Sequence, residues 1–447
     1  MNRMTDNASY WHKACHFFSK TEYGQTSGSY FIHNKNRKIL KIGIKPKAII
    51  YFDDGAFCRI DNSKKTSKVL RPDKAFFKTA GNLLEAGVPY FFIASPDLNR
   101  NYADENLPKM VLVQPSLEFT FSPDQSDGYV SYAQTSQMEE YGRDLLRETL
   151  RKGVPSSVDY SGKLLEFSKT AVNWAPDEPD SNFLNRLSDA ITILQEFPDG
   201  KMMLVRSYEY ALREKNDPFK LYEIFAGLSG DYACSHFFCD RNNVFSLGCS
   251  PENVFEICGG KLLIDAVAST CKSSDGKRLA REFYDNPKQI KEHKLSLNRR
   301  INRFGAFCKN GAIDLDGYMQ AKKLRHVYHL HSTLHGELLP NTTAFDLLEA
   351  FFPPLATYPR ELTRYADTET SPHRYYGGVV GHSDCTTTGC FMNIRNALLK
   401  DNRLYAKVGV GVIKESAPDD ELQETKNKIS GLMEATYLWD KQRSLKG

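Results

Sequence analysis

The 447-residue chain has little that would place it in a membrane or on nucleic acid. No stretch approaches the roughly 18 consecutive apolar residues of a transmembrane helix, and the opening MNRMTDNASYWHKACHFF lacks the apolar core of a signal peptide. The net charge is only +4 and the lysines are scattered among acids, which does not favour nucleic-acid binding. We therefore expect a cytoplasmic protein that binds neither membranes nor nucleic acid.

The ten cysteines lack the spacing of a structural zinc site. Two short groups combine cysteine with histidine: Cys234, His236 and Cys239, and His382, Cys385 and Cys390. Neither group shows the paired C-x2-C spacing of a zinc site with four ligands. Cysteines on a strand-like run such as YACSHFFCD are usually small buried residues. We expect neither zinc nor, in a reducing compartment, disulfides.

What the chain does have is enough apolar residues for a large core. With 41% hydrophobic and 12% aromatic residues, global disorder is excluded. The pattern predicts short strands over 27–60 and a helix over 183–197. The loop-rich stretch 154–182 is the expected join between a variable amino-terminal part, 1–175, and a catalytic part, 176–447. We expect the two parts to form one compact body.

The most informative stretch is GVGVIKESAPDDELQETKNK, residues 409–428. A glycine-alternating apolar strand leads to Ser416, which is predicted to cap the helix that follows. In that helix Glu421, Glu424 and Lys428 share one face. Carboxylates beside an ammonium suit a hard divalent metal such as Mg2+ that holds an anionic substrate. The same spacing also describes many solvated helix faces, so it needs support from elsewhere.

Eight short motifs in the carboxyl-terminal half provide that support. They are GKMMLVR (200–206), SPENVFEI (250–257), VAST (267–270), KEHKLSL (291–297), HVYHLHSTLHG (326–336), YYGGVVG (375–381), NIR (393–395) and the 409–428 stretch with its ELQETKNK helix. In this order they resemble the chorismate-utilising enzymes, which include isochorismate, salicylate, anthranilate and aminodeoxychorismate synthases. The resemblance implies an α+β fold with two large, mostly antiparallel sheets packed face to face and helices outside.

The resemblance also implies a Mg2+-dependent enzyme that acts on chorismate. The leading hypothesis is an isochorismate synthase, with or without the pyruvate elimination of a salicylate synthase, serving siderophore or other secondary-metabolite biosynthesis. Water adds at one ring carbon and hydroxide leaves from another, so a base and an acid must stand on opposite sides of the ring. Two alternatives stay open: an aminating enzyme of the anthranilate or aminodeoxyisochorismate type with an amidotransferase partner, and a non-catalytic chorismate-binding relative. We expect a monomer or weak homodimer.

Three residues match catalytic positions of that family. Lys201 is the implied base, since water-using members carry lysine where the anthranilate type usually carries glutamine. A lysine buried near a metal can have its pKa lowered enough to take a proton from water. Glu252 is the implied acid, because a partly desolvated carboxyl keeps its proton near neutral pH. His329 matches a histidine near the ring. Their alternative roles are a surface lysine, a turn-capping glutamate and a structural histidine.

Further matches concern the substrate. Tyr376 and Arg395 match positions that hold the enolpyruvyl carboxylate, for which a guanidinium fork is well suited. Gly409 and Gly411 would let backbone amides approach the same group closely. Lys428 would add a positive charge nearby.

The implied metal ligands are Glu292 and Glu424, with Glu421 reaching the metal directly or through water. Ala268 and Thr270 in VAST match the wall of the substrate pocket, and Ala268 argues against the aminodeoxychorismate type, which usually has lysine there. Four features depart from the family pattern: Gln289 in place of an acid, Ser269 in place of a glycine, His373 in place of an arginine, and a shortened loop at Pro353–Pro359. These departures bear on the metal shell and on substrate or product choice.

Overall fold

The structure is a computed structural model that describes residues 4–22, 24–53, 55–61, 64–70, 75–98, 107–154, 174–212, 217–230, 232–272, 284–323, 327–366 and 374–444. The helices are α1 Met4–Lys20, α2 Phe76–Gly81, α3 Ser136–Arg151, α4 Asp180–Leu194, α5 Pro218–Ser229, α6 Pro287–Phe304, α7 Ala344–Phe351, α8 Thr363–Ala366 and α9 Pro418–Ser444. Short 3-10 turns lie at Arg241–Asn243, Gly305–Phe307, Lys309–Gly311 and Arg360–Leu362.

The first strands are β1 Tyr30–Asn34, β2 Ile39–Asp53, β3 Ala56–Asp61, β4 Lys64–Leu70, β5 Tyr90–Ala94, β6 Met110–Ser122, β7 Gln125–Ala133, β8 Ala175–Pro176, β9 Met202–Ala211 and β10 Cys234–Cys239. The remaining strands are β11 Phe245–Ser250, β12 Asn253–Cys258, β13 Lys261–Lys272, β14 Asp314–Lys323, β15 Val327–Glu337, β16 Val379–Ser383, β17 Thr387–Met392, β18 Asn396–Lys400 and β19 Arg403–Val412.

These strands form two antiparallel sheets that share two long strands. The first sheet has the order β8-β9-β19-β18-β11-β10-β1, followed by the start of β2, the end of β6, and β7. The second has the order β14-β15-β13-β12-β17-β16-β5, followed by the start of β6, the end of β2, β3 and β4. Hydrogen bonding is therefore continuous across 19 strands.

The passage from one sheet to the other coincides with prolines in the shared strands. Pro46 of β2 faces Pro115 of β6, and the register shifts between Pro46 and Ala48. Proline has no N–H to donate to a ladder, and a bulge bends the strand that carries it. The paired prolines thus mark the point where β2 and β6 leave the first sheet and enter the second.

The core has three main layers, and a smaller cluster packs α4 against β9 and β19. One packs the first sheet against α1, α3, α5 and α9, and another packs the second sheet against α2, α6 and α7. Between the sheets, Tyr30 and Phe238 of the first meet Phe91 of the second, with ring centroids 5.1 and 5.0 Å from that of Phe91. The predicted α+β fold, with large antiparallel sheets packed face to face and helices outside, is confirmed.

Strands from both predicted parts of the chain contribute to both sheets. In the first sheet β1 pairs with β10, and in the second β5 pairs with β16. The division at residue 175 stays a prediction, and residues 155–173 of the expected join lie outside the described ranges. Among the helices of the described ranges, none combines the length and apolar character needed to cross a bilayer.

Candidate active site

A pocket with a cavity volume of about 130 Å³, partly open to solvent, lies between the two sheets. Its walls come from β9 and β19 of the first sheet, β13, β15 and β17 of the second, α6, α9 and the segment 352–359. Eleven of the thirteen predicted site residues line it: Lys201, Glu252, Ala268, Glu292, His329, Tyr376, Arg395, Gly409, Gly411, Glu424 and Lys428. Glu421 lies outside this lining, and the side chain of Thr270 lies outside the described residues, although its backbone belongs to β13.

Helix α6 presents a row of polar side chains to the pocket. The helix begins where the Asn286 side chain accepts hydrogen bonds from the first backbone N–H groups. From there Glu292, Ser296, Arg299 and Arg300 all line the pocket. Their spacing of three, four, seven and eight residues places them on one helix face. One helix therefore supplies both acidic and basic groups to the site.

Lys201 and Glu292 form the first ion pair of the pocket. Lys201 Nζ donates to Glu292 Oε1 at 2.9 Å, and both side chains are mostly buried. Burial lowers the pKa of Lys201, but the interactions with Glu292, Tyr358 and Glu424 together outweigh it, so the pKa lies above its usual range. The lowered pKa expected from the sequence concerns a lysine beside a bound metal, and it stays a prediction. A divalent cation on Glu292 would offset the carboxylate that holds the pKa up.

The glycines of β19 make room for side chains. A Cβ at Gly411 would lie 2.0 Å from Lys201 Cε, and one at Gly409 would lie 3.0 Å from Tyr376 Oη. The carbonyl of Gly409 accepts a hydrogen bond from Lys428 Nζ at 2.8 Å. Gly411 thus gives Lys201 its path into the pocket, and the close backbone approach of Gly409 and Gly411 to substrate stays a prediction.

Glu252 is buried, with 4% of its surface exposed. Its Oε1 accepts from Arg300 Nη2 in an ion pair and from the Val267 N–H at 3.4 Å. Burial raises the pKa of Glu252 to about 7, although Arg300 lowers it. A carboxyl that keeps a proton near neutral pH has the property required of a general acid.

Each predicted metal-ligand carboxylate is paired with a lysine. The pairs are Glu292 with Lys201 at 2.9 Å, Glu421 with Lys288 at 2.6 Å, and Glu424 with Lys428 at 2.6 Å. Burial, followed by the charge of Glu424, raises the pKa of Glu421, whereas Lys428 outweighs burial and lowers that of Glu424. Within the described ranges, no three acidic, histidine or cysteine side chains are grouped closely enough to hold a metal ion. The donor types fit Mg2+, but the lysines hold these carboxylates in ion pairs.

The strand-to-helix turn before α9 differs from the predicted cap. The Ser416 hydroxyl accepts a hydrogen bond from the Ile413 N–H at 3.2 Å, and the Ser416 N–H donates to the Ile413 carbonyl at 2.9 Å. Ser416 therefore closes the turn that precedes α9. The helix still places Glu424 and Lys428 on the pocket, as the spacing predicts.

The remaining predicted residues surround the substrate space. Arg395 Nη1 donates to the Lys428 carbonyl at 3.1 Å, and burial lowers the pKa of Arg395. His329 is 6% exposed and lies opposite Thr270 in the β13–β15 ladder. Tyr376 lines the same pocket as Arg395. The roles of these three residues stay predictions.

The sequence did not reveal three further residues of the pocket. Arg300 pairs with Glu252 across 48 residues, so no local spacing connects them. The Arg299 guanidinium lies 5.4 Å from the ring centroid of Tyr358, which belongs to the shortened loop. The sequence offered one indication of the two arginines. If the helix of KEHKLSL is extended by one turn, Arg299 and Arg300 lie on the same face as Glu292.

The two cysteine–histidine groups have other partners. His236 Nε2 forms a hydrogen bond with the Ser246 hydroxyl at 3.2 Å, and His382 Nε2 bonds Glu118 Oε2 at 2.6 Å. Gln289 lies in the first turn of α6. His373 and the side chain of Ser269 lie outside the described residues.

Comparison with known proteins agrees with the geometry of the site. The family model described as chorismate binding enzyme matches residues 27–434. Anthranilate synthase component 1 of Lactococcus lactis is 32% identical over 206 residues, which are 44% of this chain and 45% of that protein. The same component of Aquifex aeolicus is 27% identical over 326 residues, 69% of this chain and 63% of that protein. The chain thus spans less than two thirds of the length of these relatives.

Solved structures share the fold over most of their length. Anthranilate synthase component I of Streptococcus pneumoniae superposes with a TM-score of 0.72 and 20% identity, covering 89% of this chain and 92% of that one. A 2,3-dihydroxybenzoate-specific isochorismate synthase of Bacillus anthracis superposes with a TM-score of 0.69 and 17% identity, covering 95% of this chain and 100% of that one. The menaquinone-specific isochorismate synthase of Escherichia coli superposes with a TM-score of 0.66 and 15% identity, covering 94% of this chain and 91% of that one.

Proposed function

The chain belongs to the chorismate-binding enzyme family, and from that premise we propose that it converts chorismate to isochorismate by adding water. The observation that carries the proposal is the burial of Glu252 in the pocket wall, which raises the pKa of its carboxyl. A carboxyl with a pKa of about 7 is available as a proton donor on one wall of the pocket, while Lys201 lines the pocket elsewhere. Hydroxide is a poor leaving group and needs such a donor.

The positions of the acid and the base suit a reaction across a ring. Lys201 is paired with Glu292 and Glu252 with Arg300, and these partners lie eight residues apart on α6. At 1.5 Å per residue, their backbone positions are separated by about 12 Å along the helix. Lys201 and Glu252 are thus paired with different turns of one helix, which supports separate roles for the two residues.

The proposed step moves two protons. Lys201 Nζ, in its neutral form, takes a proton from the water whose oxygen bonds to the ring. Glu252 gives its proton to the departing hydroxide, which leaves as water. Arg395 and Tyr376 hold the enolpyruvyl carboxylate during this exchange. Glu292 and Glu424 are the residues that would hold Mg2+, which would supply positive charge against the substrate carboxylates.

Two substitutions test this assignment. Lys201→Ala removes the base and Glu252→Gln removes the transferable proton, so each should lower kcat about 100-fold or more. Products of purified protein incubated with chorismate and Mg2+ would be separated by chromatography. Lys291→Ala, which removes a lysine paired with Glu415 at 2.7 Å outside the pocket lining, is the matched control and should stay active. Near wild-type conversion by Lys201→Ala would rule out the mechanism.

An aminating reaction is the second candidate, and one observation favours it. The sequence relatives reported above are anthranilate synthase components 1. The same incubation with an ammonium salt added tests it, because an aminating enzyme would then yield an aminated product. Isochorismate without any aminated product would exclude that candidate. Retained binding of chorismate with no turnover in either buffer would favour a non-catalytic relative. Salicylate in the first incubation would show that pyruvate elimination follows in the same pocket.

A further inference from the structure

The pocket holds two guanidiniums that no carboxylate of the described chain neutralises. Three of its cationic side chains are paired: Lys201 with Glu292, Lys428 with Glu424, and Arg300 with Glu252. Arg299 and Arg395 also line the pocket, and within the described ranges neither forms an ion pair with a carboxylate. With Glu252 ionised, the side chains lining the pocket therefore carry an excess of two positive charges.

The guanidinium of Arg299 is held in an electrostatically unfavourable position. Its guanidinium lies 5.4 Å from the ring centroid of Tyr358 and 5.3 Å from that of Phe351, which fixes its stem against two aromatic faces. Burial, Arg303 and Arg300 together lower its pKa to about 10. The group stays charged at neutral pH, so a partly buried cation is crowded by two others. An anion in the pocket would relieve this repulsion.

Tyr358 adds a hydrogen-bond donor at the same place. Its backbone is fixed to Lys201 by two hydrogen bonds of 2.8 and 2.9 Å. Its Oη is buried and has no hydrogen-bond partner in the described part of the chain. Arg299 and Lys201 are both close enough to influence its pKa. A buried hydroxyl without a partner is unfavourable, so this one is available to a ligand.

We propose that Arg299, assisted by the Tyr358 hydroxyl, binds the second carboxylate of a dicarboxylate substrate, while Arg395 binds the first. The identity of that substrate as chorismate rests on the proposed function. Chorismate carries one carboxylate on its ring and one on its enolpyruvyl group, which matches two unpaired guanidiniums. Since Arg395 is assigned to the enolpyruvyl group, Arg299 receives the ring carboxylate through its planar fork.

Arg299 and the proposed metal ligand lie on the same face of α6. Seven residues separate Arg299 from Glu292, which is almost two full helix turns. A cation held by Glu292 and the guanidinium of Arg299 would therefore face the substrate from one helix. The contribution of Arg299 is measurable without metal, because it needs no group beyond the protein and the ligand.

The test compares ligands that differ by one charge. Binding would be measured by calorimetry in the Lys201→Ala background, which prevents turnover, both with Mg2+ and with EDTA. The ligands are chorismate, its methyl ester at the ring carboxylate, and its methyl ester at the enolpyruvyl carboxylate. Arg299→Met keeps an apolar stem against the two rings and removes the charge. Lys294→Met is the matched control, since Lys294 lies on the same helix, is exposed and does not line the pocket.

The proposal predicts a specific pattern of losses. Arg299→Met should weaken chorismate binding about 10- to 100-fold, the range for a lost hydrogen bond to a charged group. It should leave binding of the ring ester unchanged, because that ester has already lost the charge Arg299 recognises. Arg395→Met should show the reverse, with no further loss for the enolpyruvyl ester. Lys294→Met should bind all three ligands as its parent does.

A second variant keeps the test decisive if Arg299→Met folds poorly. Tyr358→Phe removes only the hydroxyl and should weaken chorismate binding about 3- to 10-fold, again without effect on the ring ester. Equal losses for chorismate and its ring ester, or no loss for either variant, would overturn the assignment. If the parent binds none of the three ligands, this proposal and the proposed function both fail. If the parent shows the predicted pattern while the wild type forms a different product, only the proposed reaction fails.

Discussion

The two ends of the pocket neutralise charge in different ways. The lysine end consists of Lys201, Lys428, Glu292 and Glu424, and the arginine end consists of Arg299, Arg300, Glu252 and Tyr358. At the lysine end each carboxylate has its own ammonium, so the group is neutral. The arginine end has two guanidiniums but one carboxylate, which is paired with Arg300 alone and has a raised pKa.

This difference indicates which kind of ion each end of the pocket can bind. A neutral set of ion pairs can exchange an ammonium for a metal cation, because the carboxylates remain as ligands. An end with more guanidiniums than carboxylates attracts an anion. Helix α6 contributes to both ends, so a single element separates the cation-binding and anion-binding functions by two turns.

The largest effect should come from removing the cation. If the lysine end holds Mg2+, activity should vanish in EDTA and return on adding Mg2+. Glu424→Gln should then raise the Mg2+ concentration needed for half-maximal activity by roughly 10-fold or more. Activity would be measured against free Mg2+. Glu415→Gln, which changes a carboxylate outside the pocket lining, should match the wild type. Full turnover in EDTA would show that the lysine end is only a set of structural ion pairs.

A smaller effect should follow from closing the path of Lys201. Gly411→Ala would place a Cβ 2.0 Å from Lys201 Cε, so the side chain must move away from Glu292. Overpacking costs about 1–3 kcal/mol, and we expect kcat to fall about 10-fold with little change in KM. In the control Gly431→Ala, the nearest atom to the new Cβ is 3.9 Å away on Phe225. Unchanged kcat in Gly411→Ala would mean that Lys201 does not need this position.

The smallest predicted effect is a shift in pH dependence at the arginine end. Glu252 acts in its protonated form, so activity should fall as pH rises through its pKa of about 7. Burial raises this pKa, Arg300 lowers it, and Asp265 and His331 have opposing smaller influences. Arg300→Met removes a lowering charge, so the basic limb of the kcat profile should move up by about 1 pH unit or more.

The control for this shift is Arg303→Met, which should leave the basic limb in place because Arg303 does not contact Glu252. A basic limb that stays at its wild-type pH in Arg300→Met, or moves to lower pH, would contradict the assignment of Glu252 as the titrating acid.

How much of this was predictable from sequence also differs between the two ends. Glu424 and Lys428 lie within one helix, so their spacing alone placed them on one face. The partners Glu252 and Arg300 lie 48 residues apart, and Lys201 and Glu292 lie 91 apart. No local sequence pattern predicts contacts between residues so far apart in the chain. The pKa of Lys201 depends on Glu292, a neighbour that only the fold identifies.

The fold itself followed from family resemblance rather than from local patterns. The antiparallel, two-sheet architecture was predicted in that way. The bend at Pro46 and Pro115 was not, because each proline reads locally as a break in a strand. Only the pairing of the two long strands shows that the prolines face each other where the sheets divide.

The pairing of β5 with β16 has a consequence for the synthesis of the chain. Ala94 lies opposite Val379, so β5 cannot complete its pairing until 285 further residues have been made. At about 5–20 residues per second, this takes roughly 15–60 s. During that interval β5 presents an unpaired edge rich in aromatic and apolar residues, YFFIA, which is the kind of edge that joins other chains. We therefore expect the nascent chain to be prone to aggregation until β16 has emerged.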